Sequence, residues 1–254
     1  MQTKEKTSQV VTIDAAGLYY RQLNEKVRQA LKDGAERIIL QNVCGQRYIG
    51  DGLRGEATIE IHGTPGNDMA MFMNGPTIFV HGNGQDGIGN TMTMGEIVID
   101  GSVGDLLAHS LRGGRIYVRG SAGYRSAIHM KQYTEPVPAV VIGGTAGDYT
   151  GEYMAGGVLI ILGLDKAPET PLTGAYLGTG MHNGAIYLRG DVRDDQMGKE
   201  ISRVELNDAD RKLLAHHVGR FADYFKLNAA EILAGPFVKM MATSSRPYGR
   251  LYVY

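Results

Sequence analysis

Three side chains that could bind a metal ion recur at a fixed interval in the sequence. His62, His81 and Asp100 are separated by 19 residues each. Imidazole nitrogens and carboxylate oxygens are common zinc ligands, and a catalytic site uses three of them. Asp100 is the only third ligand in this row. We favour the alternative of a solvated surface row, so the sequence predicts no catalytic or cofactor-binding residue and leaves these three as metal candidates.

Carboxylates also recur, in a pattern that could cleave a polysaccharide. Glycoside hydrolases place two carboxyl groups on either side of the scissile bond. Asp86, Asp105 and Asp148 occupy the same place in their repeats, but Tyr124 takes that place between Asp105 and Asp148. Because no three acidic residues are adjacent, the pattern supports a carbohydrate enzyme only weakly.

One glycine-rich segment matches a nucleotide-binding pattern. Residues 82–87 read Gly-Asn-Gly-Gln-Asp-Gly. The dinucleotide fingerprint requires a helix directly afterwards, whose amides bind the pyrophosphate. A β-type repeat continues here instead, so we predict a tight corner. The single cysteine, Cys44, has no neighbouring base and is predicted to be a small buried hydrophobic residue.

These residues all lie within an internal repeat. Seven segments end in an apolar alternation followed by glycine, and the closing glycines are Gly63, Gly82, Gly101, Gly120, Gly144, Gly163 and Gly190. The interval is 19 residues, except for 24 before Gly144 and 27 before Gly190. A repeat of this size is typical of stacked units in a solenoid.

Stacking of the repeats in register would create apolar ladders, because side chains alternate between the two faces of a strand. Two ladders are formed by Ile59/Ile61, Ile78/Val80, Ile97/Ile99, Ile116/Val118, Val140/Ile142, Leu159/Ile161 and Ile186/Leu188. A third is formed by Met73, Met92, Leu111, Met130, Met154 and Met181. We therefore predict an all-β fold, a parallel β-helix of about seven to eight coils.

The chain divides into three predicted regions. Residues 1–44 hold a capping helix from about Ala15 to Lys32, with Asp14 as its N-cap, and a first strand. Residues 45–190 hold the coils. Residues 191–254 form a C-terminal helical extension and tail, in which Asn207 and Asp210 indicate the start of a helix.

An outward-facing row of the repeats is apolar. It lies between the two inward ladders and contains Phe79, Val98, Tyr117, Val141, Ile160 and Tyr187. An apolar stripe of this length is seldom left in water. We expect either the C-terminal helices or a partner chain to cover it, and we favour the chain's own helices.

Composition limits the function classes. The 254 residues carry a net charge of −1, which gives no basic field for nucleic acid or an anionic membrane. A single cysteine excludes an intramolecular disulfide and an iron–sulfur cluster held by this chain alone. The polar N-terminus and the lack of a long apolar run predict a cytoplasmic protein without a membrane span.

Several coils resemble a known family. Residues 45–53, 63–75 and 145–157, with their glycine, aspartate and methionine spacing, resemble the GXGXG domain at the C-terminus of the glutamate synthase large subunit. Ile13-Asp14 and Arg246-Pro247-Tyr248 look like parts of its free-standing, archaeal-type subunit. The likeness is shared with one of the subunits of formylmethanofuran dehydrogenase.

The resemblance implies a right-handed β-helix with a structural role. It implies partners, namely the glutaminase and the FMN- and iron–sulfur-binding synthase subunits of a complex involved in nitrogen metabolism. It implies no catalytic residue and no cofactor in this chain, so whether the chain is itself an enzyme stays open. The alternatives are a scaffold of a formylmethanofuran dehydrogenase-type complex, a metal- or carbohydrate-dependent β-helix enzyme, and a homo-oligomer that associates through the apolar stripe.

Overall fold

The computed structural model describes residues 9–133 and 135–246. Within them, 11 strands form one sheet in the order β1-β2-β3-β4-β5-β6-β7-β8-β9-β11-β10. The first nine strands are β1 (Val10–Asp14), β2 (Arg37–Cys44), β3 (Thr58–Thr64), β4 (Asn74–His81), β5 (Met94–Ile99), β6 (Arg115–Val118), β7 (Ala139–Ile142), β8 (Ala155–Ile161) and β9 (Asn183–Arg189). Pro247 and Tyr248 of the tail lie outside the described residues.

The strands from β1 to β9 pair with their neighbours in parallel and in sequence order. Ile59 pairs with Ile78, Ile78 with Ile97, and Ile97 with Ile116, as the repeat predicts. The result is a β-solenoid of about six turns with few helices, which confirms the predicted class of fold. The right-handed sense and the count of seven to eight coils stay predictions.

The three predicted ladders fill the interior of the solenoid. Every member of the two ladders on the strands is at most 1% exposed, and every member of the third, methionine-rich ladder is fully buried. Burial of one such side chain contributes about 1.5–3 kcal/mol. Because each coil can bury its ladder residues only against the next coil, the stacking itself holds the fold together.

The N-terminal region differs from its prediction. Helix α1 (Tyr20–Lys32) begins five residues later than expected, and Asp14 is the last residue of β1 rather than a helix cap. The Asp14 carboxylate accepts hydrogen bonds from Asn42 Nδ2 and from the amide of Ala16, both at 2.9 Å. Strand β1 was missed because five residues with one buried side chain show no clear alternation.

Cys44 is exposed, so its predicted burial was wrong. The register of β2 shifts between Leu40 and Val43, and Asn42 there has a φ of 58°. Such a bulge inserts one residue and reverses the faces that follow it. Val43 consequently points into the core, and the thiol of Cys44 faces outward.

The C-terminal region returns to the sheet. Helix α2 (Asp208–Phe225) begins after Asn207 with the predicted capping box, and α3 (Ala229–Leu233) follows. Two strands that the sequence did not reveal, β10 (Ile201–Val204) and β11 (Phe237–Ala242), surround these helices in the chain. Strand β11 pairs antiparallel with β9, and β10 pairs antiparallel with β11. The sheet thus continues beyond the predicted boundary at residue 190.

Candidate functional site

The structure brings His62 and His81 together on neighbouring strands. They are direct partners in the register of β3 and β4, and their ring centroids lie 4.7 Å apart in a stacked arrangement. Asp100 follows β5, and its Oδ2 atom lies 2.8 Å from His81 Nδ1. Arg119, which lies 19 residues after Asp100 in the repeat, pairs with Asp165 at 2.7 Å.

Glu60, which is not among the metal candidates predicted from the sequence, joins this group. It lies two residues before His62 in β3, and alternation along the strand places both side chains on the outer face. One ligand atom from each of Glu60, His62 and His81 lies within 4.8 Å of the others. Arg37 forms an ion pair with Glu60 at 2.6 Å. Strand alternation was the signal that could have identified Glu60.

The row of aspartates has a structural role in the solenoid. Asp86 Oδ1 accepts a hydrogen bond from the amide of Asp105 at 2.9 Å, and Asp105 Oδ1 accepts one from the amide of Tyr124 at 2.9 Å. Asp148 Oδ1 accepts from the amide of Ala175 at 2.8 Å. Each carboxylate therefore accepts the hydrogen bond of a backbone amide in the next coil, at a corner of the solenoid.

A second polar ladder does the same at an adjacent corner. Asn83 Oδ1 accepts from the amide of Ser102, Ser102 Oγ from the amide of Ser121, and Ser121 Oγ from the amide of Thr145, at 2.9 to 3.0 Å. These side chains are spaced as the repeat is spaced. Both ladders give the polar residues that recur with the coil period a structural role.

We expect Asp105→Ala to lower the free energy of unfolding by about 0.5–1.5 kcal/mol, since one hydrogen bond to the Tyr124 amide is lost. Asp105→Asn retains an acceptor oxygen at the same place and should stay close to the native stability. Urea denaturation of both variants measures the difference. Equal losses for the two substitutions would show that the negative charge, rather than the acceptor, is what the corner requires.

Residues 82–87 form a corner, as predicted, and no helix follows them. Gly84 bridges to Val103 of the next coil. A Cβ atom at Gly82 would lie 2.4 Å from the carbonyl oxygen of Gly63, so glycine is required by the approach of two backbones. The amides that a pyrophosphate would need are therefore not arranged at a helix N-terminus.

Helix α2 covers the outward apolar stripe. Val98, Tyr117, Val141, Ile160 and Tyr187 are each at most 3% exposed and belong to one cluster with Leu214, Val218 and Phe221 of the helix. Phe79 is partly buried against the same cluster. The structure thus places the chain's own helix on this stripe, where the sequence also allowed a partner or a second copy.

A charged network attaches α2 to the solenoid. Arg220 Nη2 donates to both carboxylate oxygens of Glu96, at 2.6 and 2.8 Å, and the Tyr224 hydroxyl donates to the same carboxylate. Burial, followed by the charge of Glu96, raises the pKa of Tyr117 beside this network to about 12. Because Glu96 is only 7% exposed, its charge depends on Arg220 for compensation.

His217 makes the docking of α2 sensitive to acid. Burial, helped by the charges of His216, Arg115 and Arg220, lowers its pKa to about 4, against about 6.5 in an unfolded chain. As the pH falls from 6.5 to 4, the unfolded chain binds a proton that the folded chain does not, so stability falls through this range and is retained above it.

Between pH 7.5 and 5.0 we expect His217 to account for a loss of about 2 kcal/mol in the free energy of unfolding. His217→Leu removes the titrating group and should remove that share of the pH dependence. Guanidinium unfolding at the two pH values measures it in both proteins. His129→Gln, which removes an exposed histidine of the solenoid, is the control; identical pH dependence in the wild type and His217→Leu would contradict the assignment.

Three tyrosine side chains form a partly exposed column, which was not among the predictions from the sequence. We call Tyr124, Tyr149 and Tyr176 the tyrosine column. The ring centroids are 6.0 Å apart for the first pair and 4.7 Å for the second. The guanidinium of Arg125 lies 5.0 Å from the Tyr124 ring and 5.2 Å from the Tyr149 ring. Tyr124 and Tyr176 are 39% and 52% exposed.

Comparison with known proteins agrees with the coil architecture. Residues 26–243 match the sequence model of the GXGXG motif family. The chain is 47% identical over 250 residues to the uncharacterized protein MJ1350 of Methanocaldococcus jannaschii, an alignment that covers 95% of this chain and 96% of the relative. Each helix in the described part of the chain is too short or too polar to cross a membrane. Because the family model matches residues 26–243, which include most of the coils, the protein belongs to the GXGXG motif family.

Proposed function

We propose that this chain is a scaffold subunit of a glutamate synthase-type complex in the cytoplasm, a right-handed β-helix that contacts separate glutaminase and FMN-binding, iron–sulfur-containing synthase subunits. The proposal rests on the hydrogen bonds that the recurring polar side chains form. Asp86, Asp105 and Asp148, which an enzyme of this shape would direct at a substrate, each bond to a backbone amide of the next coil.

The packing of the interior supports the same role. The three apolar ladders occupy the axis of the solenoid with side chains that are at most 1% exposed. Close-packed protein interiors have low compressibility. A rigid rod of this kind suits the function of holding catalytic subunits at a fixed separation.

The tyrosine column is the surface that we assign to a partner subunit. Tyrosine and arginine are enriched at protein interfaces, where they supply a large contact area together with hydrogen bonds. Tyr176 is half exposed, and Arg125 is held between Tyr124 and Tyr149. The apolar stripe is less suited to this role, because α2 already covers it.

Tyr176→Ala should weaken association with the partner subunit by at least tenfold, the effect of losing one interface hot spot of about 1.4 kcal/mol or more. The experiment is co-purification of tagged chain from the native host, followed by titration of the recovered partner. Tyr19→Ala is a matched control, because Tyr19 is 60% exposed but lies next to α1, away from the column.

The same experiment decides between the alternatives. Recovery of glutaminase and flavoprotein chains supports the proposal. Recovery of a formylmethanofuran dehydrogenase-type enzyme would instead show that the chain is a scaffold of that complex. The purified chain alone should show no flavin spectrum and no glutaminase or synthase activity. Activity of the lone chain, or self-association as its only interaction, would overturn the proposal.

A further inference from the structure

Two imidazoles and one carboxylate face the same side of the solenoid on adjacent coils. His62 and His81 are cross-strand partners in β3 and β4, and Glu60 precedes His62 by one strand period. Their ligand atoms lie within 4.8 Å of one another. The parallel register of two strands fixes this juxtaposition, so it does not depend on a loop.

A carboxylate behind one imidazole orients it. Asp100 Oδ2 lies 2.8 Å from His81 Nδ1. When Nδ1 donates a proton to this carboxylate, Nε2 is left as an unprotonated acceptor with a lone pair. Metal-binding histidines commonly donate their second nitrogen in this way, which fixes the tautomer and makes the ligand more basic. Asp100 is a metal candidate by sequence, but its contact with Nδ1 makes it the residue that orients His81.

The donor set matches one class of ion. Two imidazoles and a carboxylate, with a fourth position open to water, are the ligands of a well-known type of Zn²⁺ site. Tetrahedral coordination with Zn–N distances near 2.0 Å needs donor atoms about 3.3 Å apart. Because the side chains of His62 and Glu60 are partly exposed, rotation about their side-chain bonds can close this gap without moving the strands.

Arg37 counteracts metal binding at the same place. Its Nη2 atom lies 2.6 Å from Glu60 Oε1, and its side chain is 47% exposed. A guanidinium at this distance neutralises the carboxylate and repels a cation. Binding of a divalent ion therefore exchanges the Arg37–Glu60 pair for a metal–carboxylate bond, and the guanidinium can move into solvent.

We propose that Glu60, His62 and His81 bind a Zn²⁺ ion, with Asp100 as the residue that positions His81 and Arg37 as its internal competitor. The proposal is independent of the scaffold function. It assigns three roles to the five residues, namely ligand, positioning residue and competitor, and each role has its own expected effect on zinc binding, which a random pair of surface histidines would not produce.

The test is a calorimetric titration of the full-length, untagged protein with Zn²⁺ at pH 7.5. We expect one saturable site. His62→Ala and His81→Ala should each weaken binding by more than tenfold, and Asp100→Asn by about 10- to 100-fold. Arg37→Gln should strengthen binding. His216→Ala removes an exposed histidine from α2 and should leave the affinity unchanged.

Substitution with Co²⁺ supplies a second readout. An intense visible spectrum is expected for four-coordinate cobalt, and it should be lost in His62→Ala and His81→Ala while circular dichroism shows that the coils remain folded. Absence of a saturable site overturns the proposal. So does weaker binding in Arg37→Gln, or an equal loss in His216→Ala, because either result would describe adsorption to scattered histidines.

Discussion

Gly63→Ala should lower the free energy of unfolding by about 2–6 kcal/mol, a large part of the 5–15 kcal/mol that stabilises a typical domain. Gly63 has a φ of 122°, which L-residues rarely adopt, and an added Cβ would lie 2.1 Å from the carbonyl oxygen of Val43. Since both atoms belong to stacked backbones, relief requires one coil to move away from the other.

Chemical denaturation of the variant measures this loss. Gly219→Ala is the matched control, because nothing lies within 4 Å of a Cβ added there and the residue is in the interior of α2. Alanine is the better helix former by about 1 kcal/mol, so the control should become slightly more stable. A Gly63→Ala protein as stable as the wild type would show that the coils are not in close contact at this corner.

Asp210→Ala should destabilise the protein by about 3–5 kcal/mol, because it leaves a buried lysine without a counter-charge. Asp210 is 5% exposed and Lys239 is 8% exposed, with 2.8 Å between Oδ1 and Nζ. The Tyr187 hydroxyl also donates to Asp210 Oδ1, at 2.6 Å. The substitution therefore detaches the first turn of α2 from β9 and β11 at once.

The pH dependence of this carboxylate gives a second measurement. Burial alone would raise the pKa of Asp210, but the hydrogen bonds from Lys239 and Tyr187 outweigh it and lower the pKa. Its contribution is thus complete above about pH 4 and is lost as the pH falls further.

A double variant and an exposed pair serve as controls for Asp210→Ala. Asp210→Leu combined with Lys239→Met should recover most of the loss, because no unpaired charge remains buried. Asp195→Ala breaks an ion pair whose side chains are both 69% exposed and should leave the stability close to that of the wild type. A loss in the double variant as large as that in Asp210→Ala would argue against an uncompensated charge as the cause.

The solenoid could be predicted from the sequence because the apolar residues that form its core recur at a fixed interval. Ile59, Ile78 and Ile97 recur with the period of the coil, and the same hydrophobic requirement acts on each of them. Features that occur once in the chain were not predictable in this way. Strand β1 depends on pairing with β2, and the exposure of Cys44 depends on a single bulge at Asn42.

The candidate site was predictable in part for a related reason. The repeat places His62 beside His81, since both occupy one position of the coil. Side-chain rotamers then decide the partners, and so His81 rather than Arg119 contacts Asp100. Strand alternation could have identified Glu60, which precedes His62 by two residues in β3. The tyrosine column instead follows from the geometry between coils, which a list of aligned positions does not contain.

The shortness of the last strand in the sheet has a consequence for the behaviour of the protein at high concentration. Stacked coils carry an open edge at each end, and head-to-tail addition of copies would build an endless fibre. Here β11 runs against the parallel stack, and β10, which turns back to the direction of the stack, forms the edge with only four residues. A short edge strand offers few free backbone groups to a second molecule, so β10 disfavours polymerisation at this end of the sheet.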